Sequence, residues 1–354
     1  MASMLANRFR SAYMPSSKCS IDEMMVPFRG QLQHSHMMPY RLVTEGHKVF
    51  AICNHGYTYG FEFCSGVDGS SGTIGLPAGS LAEPGVYSPI PPPILPPADY
   101  SPAAGHSLVN GLRNLTPIST TCLRLAQLLP YHKWQYSIYF DSFFSNTELF
   151  ATLRELGIGA CGTIRKNQAP VELQEYDHAK HELERGDLAS VPNDNVLCAR
   201  WQNNAGVFIM TTIHNLNDCV VSNRKGPKQD NPGTDHDVRK PRTIPLMIDD
   251  YIKHRGGVGI ANQLRSNLST QLPRDPEWDF KQLPSPPEWL PLFYYLLDTT
   301  IVNSYLIYRM YNPSISHQDF RLQLSRALLS SGRVHHKHIV KDRIQRPCKA
   351  MVRI

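Results

Sequence analysis

The sequence predicts a mixed α/β fold, and three stretches carry that prediction. Tyr136-Ser137-Ile138-Tyr139-Phe140-Asp141-Ser142-Phe143-Phe144 alternates aromatic and β-branched residues, the pattern of a strand buried in a sheet. Ser145-Asn146-Thr147-Glu148 follows at once, a helix-start signature with a capping hydroxyl or amide and a Glu behind it. Farther on, the apolar run from Glu288 to Tyr311 is long enough to form a helix lying under the sheet. Strand, acidic residue, helix is how α/β proteins present a ligand at the carboxyl end of a sheet. Asp141 is that acidic residue, set between Phe140 and Phe143, where a charge is costly to desolvate unless something pairs with it or binds it. Asp is also a common turn residue, so Asp141 reads equally well as a helix or turn cap.

The remaining elements follow in chain order. Asp22 leads an apolar segment that closes on Arg29-Gly30. His47–Cys53 and Tyr57–Cys64 read as two strands joined by Asn54-His55-Gly56, a short hairpin signal. From Gly66 to His106 the chain is dominated by Gly, Ser and Pro, the composition of a surface insertion without packed structure. Thr116-Pro117 is a helix entry for a short amphipathic helix, Thr121–Leu129. A helix over Ser145–Leu156, a strand over Ile158–Ile164 ended by Arg165-Lys166, and a hairpin Val196–Trp201/Val207–Thr212 come next. Ser222–Arg242 carries many charges and no core residues, so a loop is expected. Ile244–Asn267 reads as helix interrupted at Gly256-Gly257, and Gln318–Leu329 has leucines at helical spacing. The tail, 333–354, is basic and reads as solvated.

At 354 residues the chain can bury one or two cores, and its 41% hydrophobic and 19% charged content is ordinary for a globular protein. A net charge of +6 is compatible with nucleic acid without singling it out. Eight cysteines occur without a C-x-x-C pair, which argues against a zinc module and for free thiols in a reducing compartment. Met1–Arg10 lacks the apolar core of a signal peptide, and Leu290–Ile307 contains Asp298 and Asn303, which favours a buried helix over a membrane span. A soluble intracellular protein with no membrane partner is expected.

Several blocks converge on one family. Ser20-Ile21-Asp22-Glu23-Met24-Met25-Val26-Pro27-Phe28-Arg29-Gly30 resembles the first acidic block of piggyBac-type transposases. Tyr139–Phe144 resembles the second, and Gly159-Ala160-Cys161-Gly162-Thr163-Ile164-Arg165 the strand after it. Ile248-Asp249-Asp250-Tyr251 followed by Gly256-Gly257-Val258 resembles the approach to the third, and the helices at Trp289 and Asp319-Phe320-Arg321-Leu322 also have counterparts. The resemblance implies an RNase H-like (DDE/D transposase) core of mixed sheet and flanking helices with an inserted β-containing subdomain. It implies a nuclear protein, DNA as partner, a homodimer, and joining of transposon ends to TTAA targets. It also implies three aspartates holding two Mg²⁺ or Mn²⁺ ions, one activating the attacking oxygen and the other stabilising the leaving oxygen.

Residue by residue, Asp22 and Asp141 match the first two aspartates and so the metal ligands. The third does not match: Gly259 follows Val258, and Asn262, at a position some members use, offers a neutral carbonyl but no negative charge. Asp249 and Asp250 lie upstream of the Gly-Gly break and are not expected to substitute. The family's N-terminal DNA-binding region and cysteine-rich zinc module have no counterpart, so recognition of specific transposon ends is expected to be weak. The implied function is that of a piggyBac transposable element-derived protein, related to cut-and-paste DNA transposases but without cleavage. The alternatives are a domesticated DNA-binding or scaffolding protein, or an active enzyme that rebuilds its site from Asp249, Asp250 or Glu23.

Arg29, Arg165, Lys166 and Trp289 are the candidate DNA contacts; a strand-ending arginine and a core tryptophan are the structural readings of Arg29 and Trp289. Glu23 reads as a solvent-facing neighbour, Asp298 as paired or at an edge, and His214 and His254 as structural. The expected organisation is a residual N-terminal segment (1–18), the first part of the core (19–65), a disordered insertion (66–114), and the second part of the core (115–166). An insertion subdomain with loops (167–245), the C-terminal helices (246–332) and the basic tail (333–354) complete it.

Overall fold

The computed structural model describes residues 1–27, 36–37, 45–64, 115–177, 183–193, 195–225, 239–270 and 289–344. The expected insertion at 66–114, Arg29, and the tail beyond 344 lie outside the described residues. In chain order the elements are α1 (Ala2–Ala12), β1 (Lys18–Pro27), β2 (His36–Met37), β3 (Glu45–Asn54), β4 (Tyr57–Phe63), α2 (Pro117–Ala126), β5 (Ser137–Phe140), α3 (Thr147–Glu155) and β6 (Gly159–Thr163). Then follow α4 (Val171–Gln174), β7 (Leu188–Asn193), β8 (Val196–Gln202), β9 (Gly206–Thr211), β10 (Cys219–Lys225), β11 (Arg239–Pro245), α5 (Leu246–His254), α6 (Gly257–Asn267), α7 (Trp289–Tyr311) and α8 (His317–Ile344).

A strand that is apolar on both faces must be covered on both faces, and β1 is of that kind, with Cys19, Ile21, Met24 and Val26 all buried. It pairs antiparallel with β3 and parallel with β5, which pairs parallel with β6. The sheet runs β4-β3-β1-β5-β6-β9-β8-β7, and β2 pairs with the first residues of β3. The predicted hairpin Val196–Thr212 therefore extends the main sheet, because β9 pairs antiparallel with β6 at Cys161↔Thr211. One face of the sheet is covered by α2 and α3, where Phe140 meets Phe150 at 5.5 Å. The other is covered by α5, α6 and α7, and Tyr295 on α7 donates to Met24 Sδ at 3.6 Å.

Local chemistry fixes the connections. The β3–β4 turn has positive φ at both His55 and Gly56, as a two-residue hairpin turn of mirror-image type demands. Thr116 caps α2 by accepting from the Ser119 N–H at 3.1 Å, and Asn146 caps α3 through the Leu149 N–H at 2.8 Å, each contributing about 1 kcal/mol. Asn303 of α7 exchanges two 2.9 Å hydrogen bonds with the backbone of Thr58, beside the register shift at Ile52/Cys53, and so locks α7 onto β4.

Several expectations are corrected. Ser222–Arg242 reads as a loop in the sequence, yet its two ends belong to an antiparallel ribbon, β10–β11, anchored by Val220 and Ile244 against Trp201, Met247 and Ile248. The polar stretch before Val196 contains β7, which pairs with β8 from Leu188↔Trp201 to Asn193↔Val196. The last helix does not stop near Leu329 but continues through the first part of the basic tail to Ile344. The N-terminal segment packs on the sheet: α1 buries Phe9 against Phe61, and Tyr57 donates to the Phe9 carbonyl at 2.8 Å.

Candidate functional site

Parallel pairing brings the two predicted acids together. The last rung between β1 and β5 is Ile21↔Phe140, so Asp22 and Asp141 are the next residues along adjacent strands, whose spacing is about 4.8 Å. Asp22 accepts the Glu23 N–H at 2.8 Å. Burial pushes its carboxyl up to about 8, helped by the hydrogen bond and charge of Glu23 and the charge of Asp141, while the Glu23 N–H pulls the other way. Asp141 accepts the Phe143 N–H at 2.6 Å, and its carbonyl accepts from Ser145 N (3.2 Å) and Oγ (3.0 Å). The turn-capping reading of Asp141 is therefore realised in its hydrogen bond from Phe143, with Asp22 on the neighbouring strand. Glu23 is buried, not solvent-facing.

Helix α6 docks on the same strand through the residues just before position 259. The Val258 N–H donates to Ser20 Oγ at 3.2 Å, and a Cβ at Gly257 would lie 2.7 Å from that oxygen and 3.1 Å from the Cys53 carbonyl. Helix and sheet meet there without room for a side chain. Two residues on, a Cβ at Gly259 would meet nothing within 4 Å. The Asn262 Oδ1 accepts from Arg265 Nη2 at 2.7 Å, which holds the amide toward that guanidinium.

Asp249 and Asp250 are engaged elsewhere. Asp249 pairs with Lys253 at 2.5 Å. Asp250 accepts from Lys18 Nζ and the Tyr139 hydroxyl, with His214 Nε2 at 3.1 Å and His254 Nε2 at 3.4 Å. Burial alone would raise its carboxyl, but the hydrogen bonds from His214, Lys18 and Tyr139 and the Lys18 charge outweigh it and hold the group well below the usual carboxylate range. His214 and His254 are thus partners of Asp250, a grouping the sequence reading did not make. Asp298, 1% exposed, is paired with Arg321 and holds the Thr270 N–H at 3.0 Å, tying the end of α6 to α7 and α8.

The candidate DNA contacts separate in space. Arg165 and Lys166 are exposed just beyond β6. Lys166 lines a 630 Å³ groove with Ser142, Thr163, Arg200 and Phe208, one residue from Asp141. Trp289 is 61% exposed at the start of α7, edge-on to Phe293 at 6.3 Å, which removes the core reading.

Two adjacent dications need several anionic oxygens converging on them. Among the described residues no three His, Cys, Asp or Glu side chains form such a group. Asp22 and Asp141 alone, with Asp22 biased toward its neutral form, do not fit a two-ion site.

A central mixed sheet with helices on both faces, extended by extra strands, and two aspartates on adjacent parallel strands define the RNase H-like core of a DDE-type transposase. The chain matches the family model described as Transposase IS4 over residues 1–78 and 102–305, and it belongs to that family. Within it, its similarity is to piggyBac-type proteins. It is 32% identical over 139 residues to human "PiggyBac transposable element-derived protein 3" and, at the same identity and length, to the human "Chimeric ERCC6-PGBD3 protein". These matches cover 37% of this chain, and 21% and 12% of the relatives, so the chain matches only a minor part of their length. A solved structure of a piggyBac transposase synaptic complex with hairpin DNA superposes with a TM-score of 0.60 at 15% identity, over 97% of this chain and 57% of that one. No helix among the described residues is long and apolar enough to cross a membrane.

Proposed function

We propose that this chain is a piggyBac transposable element-derived protein whose core binds DNA without cutting it. The observation that carries this reading is Gly259. The helix that would deliver a third carboxylate is docked on β1, the space for one is open, and no side chain fills it. Asp22 and Asp141 are the retained members of the catalytic set, and they face DNA without the charge needed to hold two Mg²⁺ or Mn²⁺ ions. Joining of DNA ends to TTAA targets, which needs both ions, is accordingly beyond this core.

Binding falls to the basic groove. Lys166, just beyond β6, lines that groove with Ser142, the residue after Asp141, and Arg165 precedes it in the chain; a phosphate backbone crossing the carboxyl end of the sheet would be neutralised there. On this reading the partner is DNA, the compartment is the nucleus, and self-association follows the family pattern. The test is incubation of the purified chain with duplex DNA and Mg²⁺ or Mn²⁺. Binding that falls steeply with salt, with no strand nicking, is the expected result. Nicking that disappears in Asp22→Asn would show that the site is armed and the reading is wrong.

A domesticated DNA-binding or scaffolding protein shares this surface. It differs in having a core that has drifted from its ancestral geometry, so that restoring the third acid would restore nothing.

A further inference from the structure

Residues Glu184 to Asp187 form a tight turn that is closed twice. The Asp187 N–H donates to the Glu184 carbonyl at 3.0 Å, and the Asp187 carboxylate accepts the Glu184 N–H at 2.8 Å. Gly186 supplies the positive φ, 112°, that the third position of such a turn requires. Two backbone hydrogen bonds pin the turn to the end of β8: Gly186 N–H to the Gln202 carbonyl at 2.8 Å, and Gln202 N–H to the Asp187 carbonyl at 2.9 Å. Arg185 is therefore carried at a fixed place, and its Nη2 donates to Asn203 Oδ1 at 3.2 Å.

Arg185 shares a 220 Å³ pocket with Arg242 of β11, and the pocket's apolar lining is the buried pair Trp201 and Ile244. No acidic side chain lines it, and among the described residues neither guanidinium is ion-paired. Two cations that share a partly desolvated pocket without a counter-charge gain nothing from folding, because each loses hydration and each raises the potential at the other. An anion held between them reverses both costs. Guanidinium groups suit phosphoryl oxygens in particular, which they meet in bidentate pairs. Charge and shape then select among phosphates. A phosphomonoester carries roughly −1.5 to −2 at neutral pH on three terminal oxygens, a match for two guanidiniums. A phosphodiester carries a single negative charge and has to continue in both directions, whereas a pocket backed by buried Trp201 and Ile244 suits a group that ends there.

We propose that Arg185 and Arg242 form a receptor for a terminal phosphoryl group, a phosphomonoester carried by a peptide side chain or by a small molecule. The site is separate from the groove beside Asp141. That groove is lined by Arg200 and Gln202, which flank Trp201 along β8 and so lie on the opposite face of the strand. The receptor goes beyond the DNA binding proposed above and does not depend on it, since its ligand is recognised as a chain end and not as a polymer.

The test is calorimetric titration of the full chain with a short phosphoserine peptide, the same peptide unphosphorylated, adenosine monophosphate, and dimethyl phosphate as the diester control. The expected result is saturable binding of a monoester, with none for the unphosphorylated peptide or dimethyl phosphate. Arg185→Ala and Arg242→Ala should each weaken that binding about 10–100-fold, the range for losing a charge-assisted contact. Arg242→Lys should weaken it less, because the charge stays and only the bidentate geometry goes. Thermal midpoints of the unliganded alanine variants should equal or exceed the parent's, since neither guanidinium is ion-paired among the described residues. A preference for the peptide supports the receptor and assigns its ligand to a phosphorylated protein; a preference for adenosine monophosphate supports it and assigns a nucleotide. Absence of saturable binding by either monoester would overturn the proposal, as would binding that survives in both alanine variants. Binding of dimethyl phosphate and duplex DNA, but of neither monoester, lost in those same variants, would also overturn it and make the pocket a backbone contact.

Discussion

Replacing Asp22 with Asn should stabilise the protein, and increasingly so as pH rises. A carboxyl whose folded pKa lies above its unfolded value binds more protons folded than unfolded, so its ionisation costs stability between those two values. For Asp22 the window runs from about 4, the ordinary aspartate value, to about 8. Four units at 1.36 kcal/mol each give an upper bound of about 5 kcal/mol at pH 8. Part of that is shared with Glu23 and part is screened by solvent, which leaves about 1–3 kcal/mol. Asn keeps the 2.8 Å hydrogen bond from the Glu23 N–H and fits the same volume, so no packing loss offsets the gain. At about 2–4 °C per kcal/mol for a domain of this size, the melting midpoint of Asp22→Asn should exceed the parent's by roughly 2–10 °C at pH 8 and by much less at pH 5. Calorimetric or fluorescence melts across that range are sufficient. A midpoint lowered by the same amount at both pH values would mean that Asp22 is a satisfied structural carboxylate and refute the argument.

Asp250 should behave in the opposite sense. Its depressed pKa gives stability that is present above the unfolded value of about 3.9 and lost only as pH falls through the lower folded value, and Asp250→Asn should cost about 1–3 kcal/mol near neutrality. Urea melts at pH 7 check it, with Lys18→Met giving a smaller loss because Lys18 is partly exposed. Gly257→Ala should destabilise by about 1–3 kcal/mol, since its Cβ would press on Ser20 Oγ and the Cys53 carbonyl. Gly259→Ala, in open space within a helix, should stabilise by about 0.5–1 kcal/mol; equal effects of the two in denaturant titrations would contradict the docking of α6. Arg321→Ala should cost about 3 kcal/mol by leaving Asp298 buried without its ion pair, seen as a lowered melting midpoint with early loss of helical signal.

Much of the core was legible because its signals are local. Alternating aromatics marked β5, Asn54-His55-Gly56 marked the β3–β4 turn, and Asn146 marked the start of α3. The junction of Asp22 with Asp141 came from the family resemblance, and parallel pairing of β1 with β5 realises it. The ribbon escaped because its apolar anchors, Val220 and Ile244, are few among polar residues with the charge content of a loop, and its strands pair far apart along the chain. β7 is likewise a polar strand, specified by the edge of β8 and not by its own periodicity. The Asp250 cluster joins residues 18, 139, 214, 250 and 254, so no window of sequence contains it. Trp289 and Lys166 could be named from sequence, but only the fold decides that one is exposed and the other lines a groove.

On the proposed function, one missing carboxylate at position 259 separates this core from a metal-dependent one. Two carboxylates at the ends of adjacent strands repel when both are ionised, a cost that a dication reverses and a protein without one must bear. Calorimetric titration of Mn²⁺ into the chain and into Gly259→Asp tests this most directly. The expected result is no saturable binding to the natural chain and binding to Gly259→Asp that is abolished by adding Asp22→Asn. Equal binding to both proteins would contradict it, because another carboxylate would then complete the site.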